Sequence, residues 1–139
     1  MFIAIAVILG SLLVGCKPRI DTMSYAEKMF IKMVDKAAGK LDLNEDQKMR
    51  LEGLKTEIRN NFQEGRKEKK QTMLKIKEEG TKEHPDIQTM TSSLQGMLRD
   101  ETQRINNAFD LMLGFQNNLN DAQKEKLTQM ISESVKKWD

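Results

Sequence analysis

From Phe2 to Gly15 the chain is uncharged and almost wholly apolar, and this run stops at Cys16; beyond it apolar residues return only at helical spacing. Ile20, Met23, Met29, Phe30, Met33, Val34 and Ala37 recur mostly every three or four positions, which predicts an amphipathic helix closed by Gly39. A second, long helix is predicted from Asn44 to about Glu79, with Leu51, Leu54, Ile58, Phe62, Met73, Leu74 and Ile76 as its apolar positions. Gly80 and Pro85 punctuate the chain, and Pro85 suits the first turn of a third helix. The third helix carries a seam of Ile87, Met90, Leu94, Met97, Glu101, Ile105, Ala108, Met112 and Phe115, spaced for packing against a neighbouring helix. After Asn117 and Asn118 a final helix from Asn120 offers Leu127, Met130, Ile131, Val135 and Trp138 for burial. No segment alternates as a strand does, so the fold class is all-α.

The opening run is shorter than the ~20 residues a membrane-spanning helix needs, and has the length of a signal peptide. Leu13-Val14-Gly15-Cys16 resembles the bacterial lipobox, a branched residue three before a cysteine and small ones up to it, which the lipoprotein signal peptidase cleaves just before the cysteine. This divides the chain into a leader (1–15), a lipidated cysteine with a short linker (16–24) and a helical domain (25–139). The other reading of Cys16, a structural thiol in a core helix, finds no amphipathic pattern around it to support it. All the charged side chains, 23 Lys and Arg against 21 Asp and Glu, come after Cys16, so the chain beyond the leader is strongly polar. With charges of both signs mixed and a net charge of +2, composition does not point to nucleic acid. One cysteine allows no internal disulfide, and lipidation would occupy it in an oxidising compartment. Lys17 stands where an aspartate retains some lipoproteins at the inner membrane, which points to the outer membrane, with the domain facing the periplasm.

Two helix starts repeat one pattern: Leu43-Asn44-Glu45-Asp46-Gln47 and Leu119-Asn120-Asp121-Ala122-Gln123. Asparagine at an N-cap accepts a bond from a first-turn N–H, and glutamine three residues on can reach back to the cap's own N–H, forming a capping box. Leu43 and Leu119 are expected to staple onto the next turn. Capping alone accounts for the pattern. As a pair the motifs also resemble the LTxxQ signature of the Spy/CpxP periplasmic proteins, with asparagine in place of threonine in both copies. That resemblance, over roughly residues 25–135, implies two long antiparallel helices in a bent hairpin that pairs into a cradle-like homodimer. It also implies ATP-independent chaperoning of unfolded envelope proteins, or restraint of a sensor kinase through its periplasmic domain. Related proteins that bind zinc, nickel or cobalt imply a metal-binding or metal-sensing alternative, and a purely structural helical lipoprotein is a third.

The residues offer little for catalysis, since one histidine, His84, and one cysteine supply neither a nucleophile with its base nor a ligand set, and no enzyme is expected. No cofactor is expected either; if a metal is bound, Glu83-His84-Pro85-Asp86 with Met90 is where it would sit, although a solvated loop histidine explains His84 equally simply. Met29, Phe30 and Met33 are candidates for an adaptable client surface, because flexible thioethers repack around varied partners, and the same spacing also suits a buried stripe. Between Phe62 and Met73 the second helix loses its seam and gathers Arg66, Lys67, Lys69 and Lys70. They make either a solvated face or a basic patch that draws in acidic stretches of unfolded chains.

Overall fold

The protein is described by a computed structural model over residues 21–137; the leader, Cys16, Ile20 and Trp138 lie outside the described residues. Four helices succeed one another: α1 (Thr22–Ala38), α2 (Glu45–Gly80), α3 (Ile87–Gln116) and α4 (Asp121–Val135), with no strand among the described residues. The all-α expectation holds. α2 and α3 pack as a long antiparallel hairpin, α1 lies along one face of its lower half, and α4 leaves from its base. Among the described residues no helix is long and apolar enough to cross a membrane.

Each helix starts where a side chain takes up the free N–H groups of its first turn. α1 is capped by Asp21, whose carboxylate accepts from Met23 N and Ser24 Oγ. The folded domain therefore begins a few residues before the expected boundary at 25, and Met23 is fully buried rather than part of a linker. α3 starts at Ile87 and not at Pro85, because Asp86 is the stronger cap: its Oδ1 accepts from Gln88 N (3.0 Å) and Thr89 N (3.1 Å), and its Oδ2 from Thr89 Oγ1 (2.6 Å). These bonds, the Thr89 hydroxyl first, hold the Asp86 carboxyl below its ordinary pKa. Glu79 is held low in the same way by Lys82 and by the Asp86 N–H at 3.0 Å, so the turn between α2 and α3 is tied by carboxylates.

The core lies where three helices meet. Phe30, Phe62, Met23 and Ile58 are its largest fully buried side chains, and the Phe30 ring meets Phe62 at 5.7 Å and the edge of Phe109 at 4.8 Å. Burial of each such side chain is worth roughly 1.5–3 kcal/mol, which makes this cluster the main anchor of α1 on the hairpin. Lys55 adds a polar clamp, its Nζ lying 2.7 Å from Asp35 on α1 and 2.9 Å from Glu52; the two carboxylates raise its pKa.

Above Phe62 the packing changes character. Helical geometry carries the inward stripe through Gly65, Lys69 and Thr72 to Ile76, so the expected seam residues Met73 and Leu74 fall outside it and are exposed. Gly65 is needed for close approach: a Cβ there would stand 3.2 Å from Met23 Sδ and 3.3 Å from Arg104 Cγ. Charged pairs then cross between the helices. Arg104 bonds Glu64 (3.1 Å) and Glu68 (2.8 Å), while Lys69 Nζ lies 2.7 Å from the enclosed Glu101 Oε1, at an angle that makes a close charge pair rather than an aligned hydrogen bond. Of the rest of the arm, only Ile76 and Met90 are buried apolar side chains. α4 is likewise thinly held: Gln123 is buried and Leu127 partly so, whereas Ile131 and Val135, expected to be buried, are exposed because no described residue packs over the last turns.

Candidate functional site

Both repeated motifs form complete capping boxes. Asn44 Oδ1 accepts from Gln47 N (2.8 Å) while Gln47 Oε1 accepts from Asn44 N (3.0 Å). Asn120 Oδ1 and Gln123 N (2.9 Å), Gln123 Oε1 and Asn120 N (3.0 Å), repeat the arrangement. The two boxes are not separate. Gln47 Nε2 donates to Gln123 Oε1 at 2.8 Å and Gln123 Nε2 donates back to Gln47 Oε1 at 3.0 Å, so the two amides face one another as a closed pair. Each amide then uses its second N–H on the opposite connection: Gln47 on the carbonyl of Asn118 (2.7 Å), Gln123 on that of Leu41 (3.1 Å).

Every donor and acceptor position of both amides is thereby used, although both residues are buried. Satisfied networks of this kind in low dielectric are strong, and removing one member strands several others at roughly 1–3 kcal/mol each. The pair ties the α1–α2 connection to the α3–α4 connection and so fixes the base of the hairpin. Leu43 and Leu119 serve the same closure. The positions a staple would contact are Lys48 and Lys124, so instead of stapling, the leucines enter a shared apolar cluster with Leu41, Leu51, Leu54 and Leu127.

No described helix covers the hairpin face opposite α1. A groove of about 890 Å³ runs along it between α2 and α3. Leu54, Leu111 and Phe115 form its apolar wall, Arg50, Glu57 and Asp110 add charge, and of its four amides Asn60 and Asn107 face it while Asn61 and Asn118 also donate to the Arg104 and Phe115 carbonyls. Gly53 and Gly114 keep it wide, since a Cβ at either position would meet nothing within 4 Å. An apolar wall beside a row of amides can accept an extended polypeptide, burying its side chains while bonding to its backbone.

The other expected site residues are scattered. Phe30 is fully buried and belongs to the core, which removes it from any client surface; Met29 and Met33, on the outer side of α1, are exposed. Arg66 is paired with Glu27 and Lys69 with Glu101, so these two cations are already neutralised, whereas no carboxylate among the described residues lies within 4 Å of Lys67 or Lys70. The four basic residues thus do not act as one patch. His84 is exposed in the turn before α3, and among the described residues no three His, Cys, Asp or Glu side chains stand close enough to hold a metal ion. Cys16, the expected lipid site, lies outside the described residues.

No protein-family model, curated protein or solved structure matches this chain. The amide pair had one signal in the sequence, the identical placing of a glutamine three residues after each cap. The groove had none beyond the two helical glycines, whose spacing does not reveal that they share a face.

Proposed function

We propose that the protein is a lipid-anchored, periplasm-facing helical lipoprotein of Spy/CpxP type that binds partly unfolded envelope proteins, or an exposed segment of a sensor domain, without ATP. The observation that carries this reading is the open groove, held in shape from its base by the joined motifs and lined by apolar side chains beside amides. Cys16 at the end of an apolar leader supports the anchor. Exposed Met29, Met33, Leu113 and Phe109 are suited to pairing two copies into a wider cradle.

The groove can be filled without disturbing the core, because Gly53 and Gly114 both face open space. In an aggregation assay with unrelated unfolding clients and no nucleotide, the wild-type protein should protect at modest excess. Gly53→Phe with Gly114→Phe should retain the helical content and melting midpoint but lose most of the protection. Full protection by the filled variant would place client binding elsewhere. Absence of protection by the wild type at several-fold excess would leave a structural lipoprotein.

A further inference from the structure

The face of the hairpin that α1 covers below Gly65 continues above it with no other described helix packed over it. Near the upper end of α1, Arg66 of α2 pairs with Glu27. Four, seven and eleven residues on, the same stripe of α2 carries Lys70, Met73 and Lys77, with Lys67 and Leu74 on its outer edge. On α3, Phe109 packs on Phe30 of α1, and three turns earlier the corresponding position is Leu98. Met73, Leu74 and Leu98 are 37%, 58% and 59% exposed, and among the described residues no carboxylate lies within 4 Å of Lys67, Lys70 or Lys77. The groove on the opposite face, lower on the hairpin, carries Arg50, Glu57 and Asp110 and so is not basic. One side of the arm is thus basic and apolar together, the combination that binds an anionic lipid surface.

The tether decides how the arm can lie. Four residues lie between Cys16 and the Asp21 cap, so five Cα-to-Cα steps give a reach of at most about 18 Å. α1 begins level with Gly65, where Met23 approaches that glycine. From there α2 runs about 22 Å to the tip, where the 81–86 turn adds further length, and about 30 Å to the base. A hairpin standing on either end would need more chain than the tether supplies. One lying on its side needs far less, and the side from which the tether leaves is continuous with the uncovered stripe.

We propose that this stripe, Lys67, Lys70, Met73, Leu74, Lys77 and Leu98, is a docking surface for an anionic phospholipid membrane, holding the hairpin flat with its groove turned away from the lipid. The proposal rests on lipidation of Cys16. It deepens the chaperone reading by assigning opposite sides of one hairpin to membrane and client.

The full protein, lipidated in a bacterial host, is reconstituted into phosphatidylglycerol–phosphatidylcholine vesicles containing a headgroup quencher. A single fluorophore is placed through Leu74→Cys, Leu98→Cys or, on the groove side, Gly53→Cys. Quenching at 74 and 98 should exceed that at 53 by about threefold, and K67Q/K70Q/K77Q should bring the three sites close to parity. Intact mass and vesicle flotation separate the two claims. A chain lacking the diacylglycerol mass overturns the anchor and the docking surface together; a lipidated, floating chain with equal quenching at all three sites overturns the docking surface alone. Unchanged quenching on pure phosphatidylcholine overturns the anionic lipid as the ligand. Quenching at 74 and 98 that fades as protein density rises overturns it in favour of a second copy.

Discussion

The base of the hairpin and its distal arm are made from the same two helices but are held together by different means. At the base α2 and α3 are joined by α1, an aromatic cluster and a glutamine pair that links both connections; in the arm they are joined by crossing charges and by two buried apolar side chains, Ile76 and Met90. Charge pairs, half-buried as these are, offset much of their attraction by desolvation, and a two-helix layer cannot bury both of its faces. Rigidity therefore belongs to the base, and the uncommitted surface belongs to the groove and the arm. Regions of low local stability are where binding surfaces are commonly found.

The contrast is broken most severely by emptying the base. Phe62→Ala should cost about 3–5 kcal/mol, because it leaves a cavity against Phe30 where no fourth layer can collapse inward. Chemical denaturation of the whole domain would show it as a large fall in midpoint. The glutamine pair comes next. Gln47→Ala and Gln123→Ala should each cost roughly 2–3 kcal/mol, while the double variant should cost clearly less than their sum, since each single removal also strands the partner amide, which the double removal does not. Additive losses in a double-mutant cycle would mean that the motifs act as two independent caps.

Much of the base could be anticipated from the chain. The four helices and both capping boxes can be read from residue spacing and from Asn and Gln three positions apart. The amide pair was hidden because each glutamine already had a complete local role, and capping uses only the oxygen of its amide; the use of the nitrogen depends on which loops meet. Phe30 could not be told from its neighbours Met29 and Met33 until α1 had a rotation about its own axis. Met73 and Leu74 misled for a related reason: a wide apolar pattern permits two inward stripes, and the one chosen runs through Gly65, Lys69 and Thr72, where glycine permits close approach and charge pairing replaces apolar contact. Pro85 concealed the true cap at Asp86, since either residue can open a helix.

Smaller effects sharpen the contrast. Asn44→Ala or Asn120→Ala should each cost about 1 kcal/mol through the lost N-cap bond, again read as a shift in denaturation midpoint. In the arm, Met90→Ala should raise cleavage by protease within residues 66–101 while moving the global midpoint little, because that half opens locally. The smallest effect is that of pH on the tip. Glu79 and Asp86 are both held below their ordinary pKa, so their contribution is present above the ordinary carboxylate range and is lost as pH falls through it to the depressed folded values. Amide exchange over residues 81–89, corrected for the intrinsic effect of pH, should therefore gain speed on acidification before exchange at the base changes.

Native-state hydrogen exchange resolved by residue tests the division between base and arm most directly. Amides of residues 51–62 and 105–112 should exchange only through global unfolding, with a denaturant dependence matching that of the whole domain. Amides of residues 70–95 should exchange through openings several kcal/mol lower in free energy that are nearly independent of denaturant. Equal protection along α2 from Leu51 to Ile76, all with the global dependence, would contradict the account.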